Sequence, residues 1–353
     1  MFKNTRTALA VSLIGFVTVS SCVAPSAVSC PATSEPGPPP ESAQSFASVV
    51  NKVLPAVVYI YVQTDKTDSE GNTASGVGSG VILRSDGWII TNKHVVDGFK
   101  EVEVTLYDRR KYSPTKVLMD DVADLAVLKI QEQGLPALSM GNPDSINVGD
   151  WVIAVGHALG ISPSEGGPTV TEGIVSSLGR SFTMNDVPYY DLVQTSAAIN
   201  PGNSGGALVN LSGEIIGVNS AGVISAQGIG YAIGVGTARH IFDDMVQYGK
   251  PRHPYLGVRI LDLTAEAAHK LNMPLEGARV RYVEPGSPAE AAGLRTDDVI
   301  VSMGGMKVES AADLVKVLWR HEPGDSMSMV YLHRGLEVTK DLRLAERPQT
   351  DSI

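Results

Sequence analysis

From Phe46 to Gly249 the apolar residues come in short runs, each closed by a turn. Ala56–Val62, Gly80–Leu83, Trp88–Thr91, Val102–Leu106, Leu125–Ile130, Trp151–Val155, Gly173–Leu178, Ala207–Val209, Ile215–Asn219 and Tyr231–Val235 are examples. Runs this short, rich in Val and Ile and bounded by Gly, Pro, Asn and Asp, are strands rather than helices. Ten or more of them predict a mainly β domain, a barrel or a sandwich. The helical spacing of Ile241, Met245 and Tyr248 predicts a closing helix over Thr237–Tyr248 with those three on one face. Pro251 to Pro254 is a break. After it comes a second unit with shorter strands and two helix candidates, Ala289–Ala292 and Ala311–His321, the second with Ser310 as N-cap. The last ten residues are polar. A chain of 353 residues has room for two or three such domains, and 43% hydrophobic residues supply their cores.

The first residues are an address rather than a fold. Lys3 and Arg6 precede an apolar stretch, Ala8 to Val19, of signal-peptide length and short for a membrane span. It ends in Val19-Ser20-Ser21-Cys22, which has the form of a bacterial lipobox with Cys22 as the lipidated residue. A cleaved signal peptide without lipid and an uncleaved anchor fit the same residues, and all three readings export the chain. Residues 23–45 carry a proline-rich stretch without apolar pattern and form a tether. The only cysteines are Cys22 and Cys30, so the domains that follow contain no disulfide. No Cys/His cluster has zinc spacing, so no metal is expected. The net charge of −10 leaves no basic footprint for nucleic acid.

Three segments carry chemistry. Thr91-Asn92-Lys93-His94-Val95-Val96 ends an apolar strand, Asp121-Val122-Ala123-Asp124-Leu125 opens another, and Asn200-Pro201-Gly202-Asn203-Ser204-Gly205-Gly206 is a glycine-framed turn. A serine hydroxyl needs a base within hydrogen-bond reach, and the base needs a partner that fixes its tautomer. His94, Asp124 and Ser204 stand in the chain order of the chymotrypsin fold, unlike subtilisins or α/β-hydrolases. The glycines let the backbone turn sharply at Ser204 and aim the amides of Gly202 and Ser204 at one point. An oxyanion held there gains about 3–4 kcal/mol per donor. Gly76-Val77-Gly78-Ser79-Gly80 lacks the Gly-Lys-Ser/Thr of a phosphate loop, so no nucleotide cofactor is expected.

These segments, with Gly78-Ser79-Gly80-Val81-Ile82 and Gly173-Ile174-Val175-Ser176-Ser177-Leu178-Gly179-Arg180, resemble the HtrA/Deg serine protease family over roughly residues 46–345. The resemblance implies a chymotrypsin-like double β-barrel protease over 46–250, an α+β PDZ domain over 251–345 and a tail over 346–353. It implies an ATP-independent, trimeric endopeptidase of the bacterial periplasm that acts on unfolded or damaged proteins. His94 would be the general base, Asp124 its orienter and Ser204 the nucleophile, with Gly202, Asn203 and Ser204 as the oxyanion loop. Arg180 falls where the family relays activation from the PDZ domain. Phe46, Tyr59 and Tyr61 lie where trimer contacts are expected. Ile199, Ile229, Gly230 and Tyr231 wall the primary pocket without an acid, which implies small or medium aliphatic side chains. Ser196 replaces a usual aspartate outside the triad, and His157 stands in the segment Gly156-His157-Ala158-Leu159-Gly160 where the family has asparagine. His157 is not expected to be a catalytic base. The short hydrophilic stretch 63–77 resembles the membrane-tethered, stress-sensing branch.

Tyr255-Leu256-Gly257-Val258 and Ser287-Pro288-Ala289-Glu290-Ala291-Ala292-Gly293-Leu294 resemble PDZ domains of bacterial proteases. In that mode an extended peptide pairs with a sheet edge while the glycine loop holds its terminal carboxylate. Asp297 occupies a position that is often glycine. A second class of function, a chaperone or scaffold with an inert barrel, would use the same groove, but it has no chemical need for the triad and its glycines.

Overall fold

The computed structural model describes residues 46–67, 73–184, 187–221, 228–271, 273 and 275–348. The signal peptide, Cys22 and the tether lie outside the described residues. A short helix, α1 (Phe46–Val53), leads into seven antiparallel strands, β1 (Val57–Thr67), β2 (Thr73–Arg84), β3 (Trp88–Asn92), β4 (Glu101–Thr105), β5 (Lys111–Tyr112), β6 (Lys116–Asp120) and β7 (Leu125–Lys129). They lie in the order β5-β4-β1-β2-β3-β7-β6, with a single helical turn, α2 (Lys93–Val96), after β3. Six more strands, β8 (Trp151–Gly156), β9 (Thr169–Met184), β10 (Val187–Thr195), β11 (Ala207–Asn210), β12 (Ile215–Asn219) and β13 (Gly230–Gly234), close into a barrel. One apolar core joins the two, with Ile60, Ile82, Ile89, Leu125 and Leu128 from the first sheet against Ile153, Leu192, Ile215 and Ile233 from the second. Burial of each such side chain stabilises the fold by about 1.5–3 kcal/mol. Because β3 is buried at every residue, its sequence reads as continuous apolar chain rather than as alternation.

The closing helix, α3 (Val235–Tyr248), buries Ala238, Ile241, Phe242 and Met245 in that core. Tyr248, expected on the same face, is instead 49% exposed, and the Arg252 guanidinium lies 4.5 Å from its ring centroid. The helix stops there, at Gly249 in the left-handed conformation.

The second unit is α+β. Strands β15 (Val258–Asp262), β16 (Ala278–Val283), β17 (Val299–Met303), β19 (Ser326–His333) and β20 (Leu336–Arg343) form a sheet in that order, with β18 (Met306–Lys307) on β17. A small pair, β14 (Pro254–Tyr255) and β21 (Ala345–Glu346), precedes and follows it. Its helices are α4 (Ala265–Leu271), α5 (Pro288–Ala291) and α6 (Ala311–Leu318). Ser310 caps α6 by accepting the Asp313 N–H at 3.1 Å. Leu314 of α6 sits fully buried against Val280, Ile300 and Met329. Asp297 adopts the left-handed conformation of the glycine it replaces (φ 73°), and Arg279 holds its carboxylate at 2.6 Å.

Helix α6 also touches β9 and β10 of the barrel. Trp319, just past α6, meets Tyr190 edge-on at 5.9 Å, and Arg320 pairs with Asp144 at 3.0 Å. Buried His253 bonds buried Asp120 at 2.8 Å, and Asp120 in turn accepts the amides of Val122 and Ala123 in the turn that ends at Asp124. No helix among the described residues is long and apolar enough to cross a membrane.

Candidate active site

The first sheet supplies two functional residues and the closed barrel the third. His94 begins where β3 gives way to α2, and Asp124 ends the β6–β7 turn, which its neighbour strand β3 places alongside. Asp124 Oδ2 lies 2.7 Å from His94 Nδ1, and its Oδ1 accepts the His94 backbone N–H at 3.0 Å. The Asp124 backbone is left-handed (φ 54°), and its carbonyl is held by the Lys93 N–H and the Asn92 side-chain amide. Both ends of the residue are therefore fixed. Burial, with the Asp124 carboxylate nearby adding to it, pushes the Tyr189 phenol above its ordinary range.

Ser204 is 6% exposed in the turn before β11. Its Oγ accepts the Ala221 N–H at 3.0 Å, and no hydrogen bond joins it to His94 Nε2 in this state. The turn around it is pinned one peptide unit at a time. The Pro201 carbonyl accepts the Leu159 N–H at 2.7 Å, and the Asn203 carbonyl accepts the Gly206 N–H at 2.9 Å. In a trans peptide N–H and C=O point in opposite directions. Those two bonds therefore aim the amides of Gly202 and Ser204 away from Leu159 and Gly206, and neither amide has a partner among the described residues. The Asn203 amide is different, since it donates to the Asn200 carbonyl at 2.9 Å. Gly202 has φ 94°, and a Cβ there would lie 2.2 Å from the His157 carbonyl, so only glycine fits. Leu159, itself left-handed at φ 59°, is a donor that sequence reading did not find.

The pocket residues are only partly brought together. A Cβ on Gly230 would fall 2.6 Å from Ile199, so these two share a wall, and Ile229 beside them is 37% exposed. Tyr231 points to the opposite face of β13, into the main core with Ile233, whereas Ile199 packs with Ala232. Ser196 accepts the Ile174 N–H through its hydroxyl at 3.0 Å. Arg180 is exposed on β9, next to Gly179, whose Cβ position is 3.7 Å from Lys316 Nζ of α6.

In the α+β unit, Tyr255, Leu256, Gly257 and Val258 line a groove of about 610 Å³ between β15 and α6, together with Val315, Leu318 and His253. Strand β15 pairs only with β16, so its other edge is open among the described residues. Gly257 (φ 82°) packs onto Ser287, where a Cβ would come within 2.2 Å.

His157 is 1% exposed, and its Nδ1–H donates to the Ile161 carbonyl at 3.0 Å. Burial lowers its pKa to about 4. The unfolded chain therefore takes up this proton first as pH falls, and the neutral histidine's contribution is present above pH 6.5 and lost between 6.5 and 4. Between pH 7 and 4 the wild type should lose about 3 kcal/mol more stability than His157→Asn, by denaturant midpoints at the two pH values. Parallel losses would mean that the ring titrates normally.

Residues 78–218 match the family model of the trypsin-like peptidase domain, and residues 254–344 match that of the PDZ domain. The serine protease Do-like HtrA of Bacillus subtilis is 33% identical over 340 residues, 88% of this chain and 75% of that protein. The chain belongs to the HtrA family of serine proteases. A Chlamydia trachomatis relative named "Probable periplasmic serine endoprotease DegP-like" is 39% identical over 78% of this chain. Among solved structures, the HtrA-type protease AlgW with a tripeptide superposes with a TM-score of 0.71 at 34% identity, covering 87% of this chain and 99% of that one. Across curated relatives at 38–42% identity, this HtrA-family chain spans 55–66% of their length.

Proposed function

We propose that the protein is an ATP-independent serine endopeptidase of the bacterial periplasm, gated by peptide C-termini that bind its PDZ groove. The observation that carries this is the His94–Asp124 pair beside a serine turn with two unspent amides. Ser204 attacks the scissile carbonyl while His94 Nε2 takes its proton. Asp124 holds the imidazole at Nδ1 and the His94 backbone at its N–H, and it stabilises the imidazolium. The amides of Gly202 and Ser204 receive the oxyanion, and Asn203 shapes that loop without donating to it. Ile199, Ile229 and Gly230 admit a small aliphatic side chain.

Ser204 Oγ accepts the Ala221 N–H and makes no hydrogen bond to His94 among the described residues, which supports a resting conformation. Activation is then a rotation of Ser204 onto the histidine, driven from the groove. A bound peptide adds a strand to β15, with its carboxylate at the Tyr255–Val258 loop. Its pressure on α6 reaches β9 and β10 beside Arg180, which relays the change. The tripeptide carried by the AlgW structure supports peptide recognition, and the name of the Chlamydia relative supports a periplasmic place. Lipidation at Cys22 would tether the chain to a membrane. A homotrimer fits the surface pair of Phe46 and Trp151, which meet edge-on at 5.8 Å and stay 40% and 52% exposed. Substrates are unfolded or damaged proteins.

The test is cleavage of unfolded β-casein by the whole protein without ATP, with and without peptides ending in apolar residues. Cleavage that rises with peptide is expected, and Gly257→Ala should remove the rise because its Cβ collides with Ser287. Cleavage indifferent to every peptide would remove the gating. No cleavage by a folded protein would favour the chaperone or scaffold.

A further inference from the structure

Ser79 belongs to a glycine-rich segment of β2 that the triad does not use. It is fully buried, and each of its polar groups is bonded to the catalytic turn, to the strand that leads to His94 or to the turn at His157. Its N–H donates to the Ser204 carbonyl at 2.8 Å. Its carbonyl accepts the Thr91 hydroxyl at 2.7 Å. Its own hydroxyl donates to the Gly202 carbonyl at 2.7 Å and accepts the His157 N–H at 2.8 Å. The polarity of that hydroxyl is forced. A carbonyl can only accept and an amide can only donate, so the one hydroxyl proton must point to Gly202.

The peptide unit between Gly202 and Asn203 sits between the two amides left without partners. Its orientation sets the angle between them. Gly202 is the flexible point of the loop, since glycine alone offers the backbone no side-chain restraint. We propose that Ser79 is a positioning residue for catalysis, whose hydroxyl locks the Gly202 carbonyl and so holds the Gly202 and Ser204 amides in register for one oxyanion. Through the His157 N–H the same hydroxyl ties the turn that contains Leu159, the donor to Pro201, to the loop it orients. One side chain thereby braces the loop from both sides. The inference rests on reading Gly202 and Ser204 as the oxyanion donors.

Ser79→Ala removes the brace and leaves the His94–Asp124 pair alone. A displacement of the loop by about 1 Å is enough for a 10²-fold loss of rate. With activating peptide present, kcat on a peptide substrate should fall about 10²-fold while KM stays within about twofold. The acid limb of the pH profile should not move. A peptidyl aldehyde, which forms the oxyanion on binding, should lose affinity in step with kcat/KM. Ser79→Thr, which restores the hydroxyl, should recover at least tenfold in kcat over Ser79→Ala. A merely structural serine would lower the melting temperature and leave kcat per folded molecule within about threefold of wild type, which overturns the proposal. If Ser79→Ala lacks a cooperative melting transition, Ser79→Cys, which keeps the volume but donates only weakly, decides instead. A kcat per folded molecule lowered at least about tenfold supports the brace, and a kcat within about threefold of wild type overturns it. Ser204→Ala is run in parallel. If that variant still cleaves, the triad reading has failed. If it is dead while Ser79→Ala works normally, only the brace has failed.

Discussion

Ser204→Ala should lower kcat for cleavage of an unfolded protein by about 10⁶-fold, the scale seen when a triad nucleophile is deleted. The residue that replaces it has no group to form the acyl intermediate, so only the oxyanion donors and substrate binding remain, worth about 10³–10⁴ over water. The fold should not suffer. The serine hydroxyl accepts one hydrogen bond, from the Ala221 N–H, and the backbone bonds that shape the turn come from Ser79, Leu159, Asn203, Gly205 and Gly206. Losing a single such bond costs about 1 kcal/mol. Peptide binding to the groove beside β15 should survive as well, because no residue of the Ser204 turn lines it. The measurement is turnover of casein and of a peptide substrate, beside a melting curve and a peptide titration. Residual cleavage above about one hundredth of wild type, with the protein pure, would remove Ser204 from the chemistry. A cellular role that persists in the dead variant would favour the scaffold.

Much of the first sheet and the closed barrel was legible because their central strands are buried on both faces and separated by turns. The runs at Trp88–Thr91, Leu125–Ile130 and Ile215–Asn219 fall on β3, β7 and β12. Strands that face water were harder. In β6, Val117 and Met119 point outward and are 37% and 40% exposed, and its apolar run is only three residues long, Val117-Leu118-Met119. Strand β10 contains Pro188 and Asp191, two residue types that argue against a strand in sequence. Its register with β9 shifts on both sides of Leu192, next to the left-handed Asp191.

The site divides in the same way. Motifs name side chains, so His94, Asp124 and Ser204 stood out from residue type and order. The braces are long-range contacts whose partners no motif names. Leu159 reaches Pro201 from the loop after the neighbouring strand β8, Ser79 reaches Gly202 from the other sheet, and His253 reaches Asp120 from the second domain. Tyr231 shows the opposite limit. Neighbouring Gly230 and Tyr231 alternate across the pleat, so they cannot both face Ile199.

Asp124→Asn should cost about 10⁴-fold in kcat while leaving the protein folded. The geometry dictates which way the new amide turns. The Oδ1 site faces the His94 backbone N–H, a group that can only donate, so the amide oxygen must stay there. The amide nitrogen then occupies the Oδ2 site and points its protons at His94 Nδ1, 2.7 Å away in the wild type. Nδ1 must become the acceptor, which puts the ring proton on Nε2. That is the atom Ser204 needs as a base, so the histidine is presented in the wrong tautomer. Asparagine tolerates the left-handed backbone that Asp124 adopts (φ 54°), and its carbonyl keeps the Lys93 and Asn92 donors. The melting temperature should therefore change by only a few degrees. Two measurements decide the matter, kcat at neutral pH and the tautomer of His94 by ¹⁵N resonance. A proton on Nε2 with a 10⁴-fold loss is the expected result. A loss below about tenfold, or a proton retained on Nδ1, would mean that Asp124 does not orient the base.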